Sequence, residues 1–150
     1  ARVVDARAEE HRVGAQVETL DFQVAQGLVG GEAGDAGVEH LEVQPEAVVI
    51  VDMVGDEDLQ LYYEWNSDRE LAQEIWGIAS EQGHAAFIQT ARHSIIDDHT
   101  PFLLAGIPAV DIIDFDYPYW HTTHDTPDKV SAESLERVGR VLETWLEEPE

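Results

Sequence analysis

The stretch that decides the fold is HSIIDDHTPFLLAGIPAVDIIDFDYPYWHTTHDTPD, residues 93–128. Within it, residues 109–113 form a mostly apolar run bounded by glycine and proline, which predicts a buried strand. Polar residues stand at both ends of that strand: DDH at positions 97–99, and a segment rich in aspartate and histidine from residue 114 onward. Carboxylates and imidazoles gathered at strand ends are what a zinc site or an acid/base site needs.

Outside this stretch, apolar runs alternate with amphipathic helical patterns. Residues 47–51 are apolar and largely β-branched, which predicts a strand covered on both faces, and residues 59–63 and 86–89 predict shorter strands. Ser67 and Glu70 have the spacing of a capping box for a helix that Gly83 ends, and residues 132–147 predict a second amphipathic helix. This order predicts a single α/β domain, a three-layer sandwich around a central mixed, mostly parallel sheet.

The composition limits the partners of the protein. The chain of 150 residues carries 32 acidic against 8 basic residues, a formal net charge of −24. Such a negative field repels nucleic acid and anionic membranes, which excludes both as partners, and no apolar run reaches membrane-spanning length. The acidic surface suits either a halophile protein in concentrated salt or an acidic protein of ordinary surroundings. Cysteine is absent, which excludes disulfides and thiolate ligands.

Two residues are candidates for the centre of a site. Asp52 directly follows the strand at 47–51, and His121 lies in the aromatic loop that follows the strand at 109–113. Ligands of α/β sheets bind beyond the carboxyl ends of the strands, so both residues are expected to face one crevice. Asp52 taken alone is more simply a cap or turn residue, but facing His121 it becomes a metal ligand or a group that orients one. The aromatic neighbours favour ligation by His121 over a plain surface role.

Further residues have supporting roles in this interpretation. Trp120 and Tyr117 are expected to line a dry substrate pocket. Of Asp97 and Asp98, one is expected to cap the short helix that follows, and the other to hydrogen-bond a group that contacts the metal. Asp125 either orients a ligating histidine or stabilises the turn after it.

Positions 47–142, which include these residues, resemble the C-terminal half of metallopeptidase family 28. That family contains zinc aminopeptidases, carboxypeptidases and glutaminyl cyclases. The matching stretches are VVIVDMVGD (48–56), SIIDDHTPFLLAGIPAVDIID (94–114) and YPYWHTTHDTPDKVS (117–131). The resemblance implies a zinc-exopeptidase fold, one or two zinc ions and a peptide substrate. It also implies that His121 is a zinc ligand, with Trp120 lining the substrate pocket. Asp52 would be a ligand in the two-zinc peptidases or a hydrogen-bonded active-site acid in the one-zinc cyclases.

Residues 1–37 match the family poorly. Family members carry upstream a His-x-Asp zinc motif, a bridging aspartate and an acidic pair whose first acid is the general base, and this chain has no His-x-Asp. The nearest match to the pair is GEAG (31–34), in which Glu32 is the candidate catalytic base and Ala33 stands where a zinc ligand is expected. The domain is therefore expected to be incomplete at its N-terminus.

The sequence thus predicts a zinc-dependent exopeptidase of the aminopeptidase type, hydrolysing peptide bonds near a terminus, in a truncated or degenerate form. A glutaminyl cyclase-like acyltransferase and a non-catalytic binding domain of the same fold are the alternatives. The compartment stays open, because the chain begins at Ala1 without a methionine. A lost leader would favour a secreted or periplasmic protein over a cytoplasmic one.

Overall fold

A computed structural model describes residues 2–6 and 45–147 of the chain. The described strands and helices follow one another in an alternating order. They are β1 (Arg2–Ala6), β2 (Ala47–Asp52), β3 (Leu61–Glu64), α1 (Arg69–Glu81), β4 (Phe87–His93), α2 (Thr100–Leu104), β5 (Ala109–Ile113) and α3 (Ala132–Glu147). A short 3₁₀ helix, Pro127–Lys129, precedes α3. None of the helices in these described ranges is long and apolar enough to cross a membrane.

The described strands form two parallel sheets. One sheet has the order β1-β2-β5, and β3 pairs with β4 in a second, two-stranded sheet. Every pairing between described strands is parallel, as expected for strands linked by helical crossovers. The α/β class with parallel strands is therefore confirmed, whereas the three-layer arrangement and the mixed character of the sheet stay predictions.

The central strands β2 and β5 are apolar on both faces because both faces are covered. Alternate residues of the two strands, Val49, Val51, Val110 and Ile112, lie in a core cluster with α1 and α3. The other alternate set, Val48, Ile50 and Ala109, lies in a second cluster against Phe102 and Leu103 of α2. The period of two that separates these sets is the pleat of the strand itself.

The long helices contribute the largest buried side chains. Trp76 of α1 and Trp145 of α3 have no exposed surface, and the Trp76 indole also stacks at an angle against Tyr63 and meets Phe87 edge-on. Helix α3 has the predicted bounds, and its predicted apolar face is buried except at Leu135, which is 46% exposed. The period of the apolar residues therefore predicted both helices correctly.

The predicted capping box is wrong by one residue. Asp68 is the N-cap of α1, and its carboxylate accepts a hydrogen bond from the backbone N–H of Leu71 at 2.9 Å. Ser67 is buried instead, and its hydroxyl donates to Glu64 Oε2 at 3.0 Å and accepts from the backbone N–H of Asp111 at 3.0 Å. A hydroxyl can do both at once, so Ser67 joins the start of α1 to the centre of β5.

The other boundaries shift modestly. Strand β4 continues to His93 rather than ending at residue 89, and β3 begins at Leu61. The prediction that Asp97 or Asp98 is the N-cap of α2 is wrong: the N-cap is His99, which makes no side-chain cap, and the Asp97 carboxylate accepts a hydrogen bond from the backbone N–H of Asp98 at 2.7 Å. Gly106 has the predicted role at the end of α2, with φ of +78°, a backbone conformation that glycine adopts without strain.

We expect Ser67→Ala to lower the free energy of unfolding by about 1–3 kcal/mol, because it leaves the buried backbone N–H of Asp111 without its acceptor. A urea titration followed by tryptophan fluorescence measures the change. Ser94→Ala is the matched control, since that exposed hydroxyl lies 3.1 Å from Asn66 Oδ1 and its loss should matter by less than about 0.5 kcal/mol. Equal effects of the two variants would contradict the bridging role of Ser67.

Candidate functional site

The C-terminal ends of β2 and β5 place Asp52 and the start of the loop that carries His121 at one edge of the sheet. The two strands run parallel, and Asp52 is in register with Ile113, so Asp52 and the segment beginning at Asp114 leave the sheet side by side. The carboxylate of Asp52 accepts a hydrogen bond from the backbone N–H of Met53 at 2.9 Å. Met53 has φ of +51°, in the left-handed region that residues with a side chain seldom adopt.

The loop after β5 presents an aromatic surface with an imidazole on it. The rings of Trp120 and His121 are stacked, with centroids 4.3 Å apart and planes 22° apart, and the ring centroid of Phe115 lies 5.3 Å from that of Trp120. Trp120 is 45% exposed and His121 is exposed, so both are accessible from solvent. His121 also has a left-handed backbone, with φ of +55°. Left-handed conformations of this kind cluster at functional sites because neighbouring structure must enforce them.

A buried group of charges lies behind this edge, and sequence reasoning missed it. The imidazole of His99 has no exposed surface, and its Nε2 lies 3.3 Å from Glu64 Oε2 while its Nδ1 lies 3.8 Å from Asp111 Oδ2. Glu64 also accepts hydrogen bonds from the backbone N–H groups of Asn66, Ser67 and Ile95, at 2.7–2.8 Å. The only signal in the sequence was an acid in the middle of an apolar run at position 111.

The two acids of this group have opposite pKa shifts. Burial by itself would raise the pKa of Glu64, but hydrogen bonds from His99 and the surrounding backbone outweigh it and hold the pKa at about 2. Burial raises the pKa of Asp111 to about 7; His99 opposes that rise, while the nearby carboxylates of Asp97, Asp52 and Glu64 add to it. Asp52 and Asp97 are therefore close enough to Asp111 to act on its charge.

The prediction of a zinc site can be tested against the donors present. Structural and catalytic zinc ions have four ligands, at least three of them from protein. Within residues 45–147, no three His, Asp or Glu side chains are grouped so that they could hold a metal ion. Asp52 and His121 are donors of the right kind, but they do not by themselves fit a zinc ion. Zinc ligation by these two residues stays a prediction.

The other residues predicted for the site lie partly in the loop after β5 and partly before α2. The Tyr117 hydroxyl donates to Asp125 Oδ1 at 2.7 Å, and burial together with this hydrogen bond raises the pKa of Tyr117. Asp125 thus accepts from a tyrosine, and its predicted role beside a ligating histidine stays untested. Asp97 and Asp98 are partly buried at the start of α2. Glu32, the predicted base, lies outside the described residues.

An acidic cavity of about 720 Å³ lies at the same edge of the sheet. Its walls are formed by Asp56, Glu57, Asp58, Gln60, Asp114, Asp116, Pro118, Tyr119, Asp128 and Lys129. Asp52, Trp120 and His121 do not line it. The cavity and the predicted site are therefore neighbouring features that share the loop after β5.

In parallel α/β sheets, ligands bind beyond the carboxyl ends of the strands, where this chain has Asp52 and the loop that begins at Asp114. A comparison with models of known protein families finds a match: the model of Peptidase family M28 matches residues 4–146 of this chain. The chain belongs to Peptidase family M28, and the family resemblance seen in the sequence is confirmed.

The relatives and the solved structures it resembles are named as enzymes. The glutaminyl-peptide cyclotransferase of Gloydius blomhoffii is 31% identical over 56 residues, which are 37% of this chain and 15% of that protein. The glutaminyl cyclase of Tannerella forsythia has a TM-score of 0.68 at 29% identity, over 74% of this chain and 43% of that one. A leucine aminopeptidase precursor of Bacteroides thetaiotaomicron has a TM-score of 0.64 at 30% identity, over 68% and 37%. The chain thus spans less than half of each of these proteins.

We expect Asp111→Asn to flatten the pH dependence of stability between about pH 4 and pH 7. The pKa of Asp111 is raised from 3.8 to about 7 on folding, so its contribution is fully present below pH 4 and is lost as the pH rises through 7. Asparagine has the same shape and no proton to lose. Urea titrations across this range measure the slope.

Asp128→Asn is the control for that experiment. The pKa of the exposed Asp128 is lowered to about 2, first by its hydrogen bond with Lys129, so its contribution is present above pH 4 and is lost below it. The control should therefore keep the wild-type slope between pH 4 and 7. A wild-type slope in Asp111→Asn would show that Asp111 does not hold a proton in the folded protein.

Proposed function

We propose that this chain supplies part of a glutaminyl cyclase-type active site, which closes the N-terminal glutamine of a peptide into a ring. The observation that supports the proposal is the exposed Trp120–His121 stack in the loop that follows β5, the strand that pairs with β2 next to Asp52. The named relatives support the choice of reaction, since those matched at 29–36% identity are glutaminyl-peptide cyclotransferases or proteins like them.

The chemistry sets clear demands on such a site. The α-amino nitrogen attacks the carbon of the side-chain carboxamide, a new C–N bond forms, and the bond to the amide nitrogen breaks. Ammonia leaves with the proton that the α-amine loses. A carboxylate that accepts this proton and returns it to the leaving nitrogen accelerates both halves of the step. Water must be kept away, because it would hydrolyse the amide instead.

The residues at the strand edge are suited to parts of this task. Trp120 is 45% exposed, and the exposed part of its indole is an apolar surface against which a planar carboxamide can pack while water is displaced. Asp52 and Asp97 are two of the carboxylates that raise the pKa of Asp111, and the Asp52 carboxylate accepts a hydrogen bond from the backbone N–H of Met53. The bond from Met53 is the turn role that Asp52 has by itself, and its role as an active-site acid is proposed from the family resemblance. Glu32 is the proposed proton acceptor.

A second candidate is hydrolysis of the first peptide bond by an aminopeptidase. The similarity to a leucine aminopeptidase precursor favours it, at 30% sequence identity against 29% for the Tannerella forsythia cyclase. The same strand edge would then have to position a water molecule beside the peptide carbonyl. The two reactions differ in product: cyclisation releases ammonia and no free amino acid.

We expect a protein that contains this chain and a complete zinc site to release ammonia from a glutaminyl peptide and to leave a product without a free amino group. His121→Ala should lower the rate at least about 100-fold, the size typical of losing one group that stabilises developing charge. His124→Ala is the matched control, since it removes another exposed imidazole three residues further along the same loop and should leave the rate near that of the wild type.

Leucine-anilide is the substrate that separates the two candidates. Hydrolysis of this compound without cyclisation of the glutaminyl peptide would replace the cyclase with the aminopeptidase. Absence of both activities, together with zinc titrations that are identical for the wild type and His121→Ala, would contradict a catalytic role for this chain and favour a binding domain.

A further inference from the structure

The loop that carries Trp120 and His121 has little burial of its own. Residues 118 and 120–128 are exposed, and the loop's internal hydrogen bonds are mostly short-range turns, such as the 3.0 Å bond from Thr122 N–H to the Tyr119 carbonyl. Loops with few buried contacts are the least stable parts of a fold. The orientation of Trp120 and His121 must therefore depend on whatever attaches the loop to the sheet.

The attachment lies at Asp116, at the start of the loop. Its Oδ2 is 2.7 Å from Arg92 Nη1 and its Oδ1 is 3.3 Å from His93 Nε2, so one carboxylate contacts the last two residues of β4. The backbone N–H of Asp116 donates to Asp114 Oδ1 at 3.2 Å, which fixes the chain just before it. The guanidinium of Arg92 also lies 4.9 Å from the centre of the Tyr62 ring on β3. We call Arg92, His93 and Asp116 the Asp116 anchor.

A series of rings continues from this anchor to the predicted site. His93 meets Phe115 edge-on with ring centres 5.3 Å apart, Phe115 lies 5.3 Å from Trp120, and Trp120 is stacked on His121 at 4.3 Å. Each ring touches the next, so a displacement of Phe115 would be passed to Trp120 and then to the imidazole. Aromatic pairs of this geometry contribute about 0.5–1.5 kcal/mol each beyond their burial.

The loop needs such support because its conformation is strained. His121 has a φ of +55°, and a left-handed backbone of this kind is unfavourable for a residue with a side chain. An exposed ion pair between two isolated side chains usually adds little stability. The Asp116 carboxylate differs from that case because two side chains of β4 meet it, and because the ring series links it to the strained residue.

The geometry points to Arg92 and Asp116 as positioning residues that hold the Phe115–Trp120–His121 ring series in the orientation used for substrate. That this orientation serves substrate binding rests on the proposed function. That Arg92 and Asp116 hold the rings in this orientation does not depend on it. Arg92 and Asp116 act on the site through the rings and not by contact with the reacting groups.

The experiment follows the four tryptophan indole N–H signals of the ¹⁵N-labelled chain by NMR, with the Trp120 signal assigned from Trp120→Phe. Arg92→Gln and Asp116→Asn should each shift or broaden the Trp120 signal while leaving those of Trp76 and Trp145, which are fully buried, unchanged. Arg92→Lys keeps the charge opposite Asp116 and should restore most of the wild-type signal. In an active preparation, the Gln and Asn variants should raise KM several-fold.

Arg140→Gln is the matched control. It removes an exposed ion pair of similar length, 2.6 Å from Arg140 Nη2 to Glu136 Oε1 on α3, and should leave all four signals in place. A Trp120 signal unchanged in Asp116→Asn would overturn the inference, as would equal shifts of the Trp76 and Trp145 signals. Failure of the proposed function would appear separately, as a wild-type chain that shows the expected spectra but cyclises no peptide.

Discussion

The parallel pairing of β2 with β5 is the constraint on which the rest of the structure depends. Because Asp52 is in register with Ile113, two loops of different composition leave the sheet at the same edge. Both strands are covered on both faces, so a shift of register would move apolar side chains and the buried Asp111 into the wrong surroundings. The position of the candidate site is thus fixed by the core, although the side chains that form it lie in loops.

Buried ionisable side chains, Glu64, His99 and Asp111, also link these elements. Glu64, Ser67 and His99 join the end of β3, the start of α1 and the segment before α2 to the middle of β5. Burying ionisable groups is unfavourable unless each is satisfied; Glu64 accepts hydrogen bonds from several donors, whereas the Asp111 carboxyl has no hydrogen-bond donor in the part of the chain that the structure describes. A carboxyl group without donors is stable in the interior in its protonated form, which agrees with the raised pKa of Asp111. Burial in this fold therefore favours the protonated form of Asp111 more than solvent exposure would.

The sequence predicted the elements well because their apolar periods are regular. The strand at 47–51, the helix at 132–147 and the parallel α/β class all follow from spacing alone, and the quoted motifs identified the family. The capping box failed because Ser67 and Asp68 are both good N-cap residues, and the choice depends on Glu64 and Asp111, which are distant in sequence. For the same reason no pattern showed that His99 lies between two acids, or that Asp116 meets β4. Long-range polar contacts have no period to detect.

The left-handed backbone at His121 also limits how this loop can be imitated. Such a conformation is disfavoured by about 1–2 kcal/mol for a residue with a side chain, roughly a five- to thirty-fold preference for other shapes. A free peptide copying residues 114–126 would therefore spend little of its time with the imidazole and indole stacked as they are here. Grafting the Trp120–His121 loop onto another scaffold would also require the strand ends that enforce its conformation. The loop sequence by itself does not determine that conformation.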